Sequence, residues 1–201
     1  MTGDIFRWIV SGFLAPQTTV RDLLGNANGY EVAAQLFVFG FLIEAISVVM
    51  FGVRPDQGSM IAGHISNLVA SALALGLLVF LVFQLGRLSG GIGSLKDTVI
   101  GVSWYSMMNA LLAPFVVMFL AEISKSMVPP ADGVAAPGFP DIPTGMLMSV
   151  MFAGMTSIWL FANTIAAIHG FRNLWGVIGV IVGIPFALVV MVTMMAGGAG
   201  S

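Results

Sequence analysis

The chain has 201 residues, of which 58% are hydrophobic and only 8% charged, with a mean hydropathy of +1.02; soluble domains carry roughly 45–50% apolar and 25% charged residues, so its solvent is a lipid bilayer. The absence of cysteine excludes disulfides, thiolate metal sites, iron–sulfur clusters and cysteine nucleophiles. Seven scattered Lys and Arg residues and a net charge of −2 form no basic stripe for nucleic acid.

Taken in order, the first residues do not read as a signal peptide: Asp4 precedes the apolar run, Arg7 interrupts it and Pro16 follows. At helical period Ile5, Phe6, Ile9, Val10 and Phe13 share one side, with Arg7 and Ser11 opposite. That spacing predicts an N-terminal interfacial amphipathic helix. The alternative is a helix packed on a transmembrane bundle. Pro16 ends this helix, and Thr18 or Thr19 caps a second short one. Residues 1–28 form a cytoplasmic membrane-surface segment on this reading, and 29–201 form the transmembrane domain.

About 20 apolar residues cross a bilayer as a helix. Five stretches qualify: 32–53, 61–85, 99–121, 146–168 and 174–195. The expected fold class is an all-α integral membrane protein, a bundle of five transmembrane helices. With the N-terminus inside, Arg7, Arg21, Arg87, Lys96 and Arg172 are cytoplasmic, and Arg54 and Lys125 lie outside. The C-terminus is then extracytoplasmic. Between the second and third spans lies a hinge, where Gly90, Gly91 and Gly93 end one helix and Ser94 with Asp97 forms a capping box that starts the next. The proline-rich segment 122–145 reads as an extended external connector, a proline-rich ligand being the alternative. Pro114 and Pro185 are expected to kink or open their helices.

Small residues mark helix-packing faces in lipid. Gly176, Gly179, Gly183 and Ala187 line up in the fifth span, and Ser66, Ala70 and Ala74 in the second. The pattern leaves open whether they pack within one chain or between chains. The embedded polar residues are Gln35, Glu44, Asn67, Gln84, Asn109 and Asn163, with Glu44 the one ionisable group deep in a span. A neutral Glu44 between Gly40 and Ser47 is expected to bridge helices by bonding Asn109, Asn163 or a carbonyl; the alternative is a proton or cation site. His64 and His169 fall at opposite ends of their spans, about 30 Å apart across the hydrocarbon, and cannot share a metal. No HExxH, Walker loop or GxSxG elbow occurs, and Ser94 is explained by its cap. Catalytic residues, metals and cofactors are therefore not expected.

The order of features resembles bacterial members of the Yip1 family. The matching residues are Gly91, Gly93, Ser94, Tyr105 and Pro114 around the third span, and Trp159, Ala167, His169 and Gly170 leading into the fifth. The resemblance implies a five-helix protein of a bacterial inner membrane without known catalytic residues. The resulting expectation is a non-enzymatic protein that organises membrane or partner proteins. Its partners are the lipid bilayer and either other membrane proteins or a second copy. A small channel or transporter with Glu44 in a polar pathway is the alternative.

Overall fold

The computed structural model describes residues 2–26, 29–51, 60–126, 142–180 and 183. All regular structure among them is helical: α1 (Thr2–Leu14), α2 (Pro16–Asn26), α3 (Glu31–Phe51), α4 (Met60–Leu88), α5 (Leu95–Ala110), α6 (Ala113–Ser126), α7 (Thr144–His169) and α8 (174–180). Arg54, most of the proline-rich connector and the fifth span beyond residue 183, Pro185 included, lie outside the described residues.

On α3, burial runs opposite to that of a soluble helix. Along α3 the buried residues are Ala33, Gly40 and Ser47, while Phe39, Ile46, Val49 and Met50 are exposed. Small residues turn inward because they let backbones approach, and large apolar ones turn out towards hydrocarbon. A Cβ on Gly40 would come within 3.0 Å of the Met107 Cα, so α3 and α5 cross at backbone contact. Among the described residues, three helices are long and apolar enough to cross a membrane: α3, α4 from Leu68, and α7. The fourth unit is α5 with α6, which together pass the same test but are bent by 54°. The single span expected at 99–121 is thus two helices, the first beginning at Leu95. Pro114 explains the break. It cannot donate a bond back to Ala110 and its ring crowds that carbonyl, so the chain tightens at Leu111 and Leu112, where the Leu112 N–H donates to the Asn109 carbonyl at 2.9 Å, and restarts as α6.

α5 is the central helix, packed against α1, α2, α3, α4 and α7. Trp104, Met108, Ile100 and Val102 on it have no exposed surface. Val20 of α2 joins Trp104, Met108 and Leu160 in one cluster, which also takes in Trp8 and Phe13 of α1. α1 and α2 pack on the bundle, the alternative to a helix lying free in the membrane surface. The inward side of α1 carries Trp8, Gly12 and Phe13. Gly12 lies against the side chains of Met108 and Trp104, and Ser11 is half-buried, while Val10 and Leu14 are exposed. The Ser11 and Thr19 hydroxyls lie 3.5 Å apart, which folds α1 and α2 into a hairpin at Ala15. Trp104 and Met108 are about 15–20 Å along α5 from Ser94, so the hairpin packs well along α5 from the hinge.

The hinge follows the local chemistry. Gly90 takes φ +82°, the Gly90 N–H donates to Arg87 and the Gly91 N–H to Gly86, which completes a Schellman end to α4. The Asp97 N–H donates to the Ser94 Oγ and the Ser94 N–H to the Asp97 carboxylate, each at 3.1 Å, closing the capping box of α5. The hinge is also tied to α7. The Ile92 N–H donates to the His169 carbonyl at 3.2 Å, and the buried His169 ring bonds the Val82 carbonyl through Nε2 at 3.2 Å. A carbonyl only accepts, so Nε2 carries the proton. A side chain at Gly86 or Gly91 would enter the His169 side chain, and one at Gly93 would meet Ile168 and His169. Three glycines on two sides of the turn thus form a cradle for one imidazole.

Gly93→Ala and Gly86→Ala should each lower unfolding stability in detergent by about 1–3 kcal/mol, the usual range for overpacking. Gly154→Ala, where a Cβ meets nothing within 4 Å, should leave melting unchanged or raise stability by up to about 1 kcal/mol. Thermal unfolding of the purified variants measures both.

Candidate functional site

α3 and α4 diverge where both pass α5, and a cleft of about 220 Å³ opens between them. Phe37, Phe41 and Glu44 line it from α3, Ser71, Ala74, Leu75 and Leu78 from α4, and Tyr105, Ser106 and Asn109 from α5. Each set follows helical spacing, so one stripe of each helix faces the cleft. Glu44 stands about 20 Å from the start of α3 and about 10 Å from its end. It therefore sits inside an apolar helix of spanning length.

The structure brings Glu44 and Asn109 to one cleft, but no hydrogen bond joins them among the described residues. Glu44 is exposed although Gly40 and Ser47, one turn to either side, are buried. α5 closes on the Gly40 side, and Glu44 lines the cleft without a bridge to another helix among the described residues. Asn163 is elsewhere. Buried in α7, it donates to the Trp159 carbonyl of its own helix at 2.8 Å. Its amide satisfies itself one turn back and bridges nothing through that bond. Tyr105 makes the cross-helix contact instead, its hydroxyl 2.9 Å from the Ser157 Oγ and its ring 4.8 Å from that of Phe161.

Tyr105, Ser106 and Ser71 are cleft residues that the sequence reading did not single out as polar sites. Tyr105 and Ser106 precede Asn109 by four and three residues, a helical-face signal available in the sequence. Nothing local marks Ser71, whose place depends on how α4 crosses α5. In the fifth-span stripe, a Cβ on Gly179 or Gly183 would meet nothing within 4 Å, and Gly176 has Asn173 as near neighbour. Ala70 and Ala74 of α4 are exposed, with Ala74 lining the cleft. Ala187 lies outside the described residues. The side chains of His64 and Asn67 lie outside the described residues. Eighteen residues separate His64 from Val82, the partner of His169, which is about 27 Å along α4.

A second cavity, of about 500 Å³, lies between α4, α7 and residues 171–180 and is lined almost wholly by apolar groups. Leu78 is the one residue lining both cavities, so an apolar side chain divides them. No cluster of three or more His, Asp or Glu able to hold a metal occurs among the described residues.

The many large apolar side chains left exposed, with three helices of spanning length and a bent fourth unit among the described residues, define an all-helical integral membrane protein. The chain belongs to the Yip1 family: the Yip1 domain matches residues 11–196, most of its length. No curated protein and no solved structure matches it.

Because Glu44 loses no hydrogen bond on replacement, Glu44→Leu should keep the stability of the purified chain within about 0.5 kcal/mol or raise it. Tyr105→Phe removes the bond to Ser157 and should cost about 0.5–1.5 kcal/mol. Thermal unfolding in one detergent compares the two.

Proposed function

We propose that this chain is a non-enzymatic, five-span protein that organises partner proteins in the membrane, and that the cleft between α3 and α4 is where a partner's transmembrane helix docks. The observation that carries this reading is an exposed carboxylate at hydrocarbon depth with polar neighbours and no bond of its own. A charged residue at a helix centre costs roughly 2.5–3.5 kcal/mol on insertion scales. A helix that brings a hydrogen-bond donor to Glu44 and Asn109 removes part of that cost and gains packing against Phe37 and Phe41. A solute pathway needs polar lining that runs through the bundle, whereas Phe37, Phe41, Leu75 and Leu78 share the lining of this cleft.

Five spans follow if α5 and α6 cross as one and the residues from 174 onward form the last. α5 rises about 24 Å, and α6, 54° off its axis, adds about 12 Å along the same direction. The sum exceeds the hydrocarbon core of about 30 Å. Arg21, Arg87, Lys96 and Arg172 stand near the ends of helices that meet at the hinge, with Leu24 packed beside Val99 and Ile168. A basic face of this kind is cytoplasmic by the positive-inside rule, which puts the N-terminus inside, in a bacterial inner membrane.

Two measurements test this. A photoreactive side chain at Phe41 or Ser71 should crosslink a defined membrane protein or a second copy in intact membranes, and Glu44→Leu should abolish the product without lowering expression. A product that survives Glu44→Leu unchanged removes the carboxylate from recognition. For orientation, Ile92→Cys, at an 82% exposed position, should be protected from an impermeant thiol reagent in intact cells, while Asp132→Cys reacts. Gly91 is unsuitable because its side-chain space is taken by His169.

A further inference from the structure

We propose that the apolar groove between α4, α7 and residues 174–180 holds one acyl chain of an anionic phospholipid, with the phosphate seated at Arg172. The groove is lined by Leu78, Leu81, Leu85, Phe161, Ile165 and Val180, among others, and its polar end carries Ser89 and Asn173. Its volume of about 500 Å³ falls within the roughly 300–1,000 Å³ of small-molecule sites. Its length selects the occupant. From Ser89 to Leu78 is eleven residues of α4, about 16 Å, which matches one leaflet of a hydrocarbon core about 30 Å thick. A partner helix would run on through the other leaflet, past the end of the groove; an acyl chain ends there.

The charge at the mouth selects the headgroup. Arg172 is exposed and lies between Phe171 and Asn173, both of which line the groove. Arg87 is exposed on the same turn of α4 as Gly86 and Ser89, two further lining residues. Asp97, the nearby hinge carboxylate, is engaged by the Ser94 N–H and hydroxyl. The Asn173 Oδ1 accepts from the Gly176 N–H at 3.1 Å, which leaves its amide N–H groups for a phosphate oxygen. Basic pockets between transmembrane helices at the membrane surface bind anionic lipid headgroups.

The test is native mass spectrometry of the full chain, delipidated and then titrated with dioleoyl phosphatidylglycerol or dioleoyl phosphatidylcholine. The wild type should retain one phosphatidylglycerol in preference to phosphatidylcholine. Arg172→Gln should reduce that preference roughly fivefold, the effect of one basic residue near a lipid headgroup, and Val177→Trp, which fills the groove, should remove the bound lipid of either kind. Thermal unfolding confirms that both variants are folded, and Leu85→Phe provides a second filled groove should Val177→Trp fail to fold. Equal retention by the wild type and a folded, filled variant overturns the site, and a preference unchanged in Arg172→Gln overturns the headgroup assignment. Closure of the groove by the chain's own fifth span is the rival occupancy. It is read by pairing Leu81→Cys with Ile184→Cys or Ala187→Cys, and a disulfide formed in native membranes overturns the proposal.

Discussion

The imidazole of His169 holds the helical ends of this bundle in register. It is placed by a bond to the Val82 carbonyl and by the absence of side chains at Gly86, Gly91 and Gly93. Those contacts join the end of α4, the turn and the end of α7. Once they are made, the crossing of α4 over α5 is set, and Gly101 of α5 is brought against Ile168 and Thr164 of α7. The Schellman end and the capping box satisfy the backbone groups that two adjoining helix termini would otherwise leave open. The turn is therefore a fixed joint. The 54° break at Leu111 and Leu112 is the less constrained bend in the same run of chain.

In lipid, burying apolar surface no longer separates inside from outside, so close contact and hydrogen bonding do the sorting. Gly12, Gly40 and Gly101 mark where α1, α3 and α7 meet α5. Ser47, Thr98 and Thr164 turn inward and bond carbonyls one turn back in the chain, satisfying themselves without a partner helix. Asn163 does the same. A carboxylate has no proton to give such a carbonyl, and Glu44 stands apart from this pattern.

What could be read in the sequence was mostly what is local. The capping box at Ser94 and Asp97, the glycine turn, the disruptive Pro114 and the α3, α4 and α7 spans depend on neighbours within a turn or on composition over a span. The packing of the α1–α2 hairpin is not legible in its apolar stripe, because an apolar side on a short helix fits the interface and a neighbouring helix equally well. Here Phe13 of that side packs inward while Val10 is exposed, and Gly12, with Trp8, meets α5. The pairing of His169 with Gly93, 76 residues apart, leaves no periodic trace. The same holds for Glu44 and Asn109, whose shared cleft depends on the angle at which α3 leaves α4. The number of crossings was legible for the described helices alone, with α5 and α6 counting as one or two according to how a bent pair is taken.

On the orientation proposed above, the α1–α2 hairpin lies in the leaflet on the side of the hinge. Each copy accordingly claims a larger cross-section on the side of the hinge than on the far side, where the bundle continues without it. Inserting the protein expands one monolayer relative to the other. The free energy of a copy therefore depends on the lateral stress difference between leaflets, and two copies that share a patch of membrane sense each other through that stress before any side chain touches.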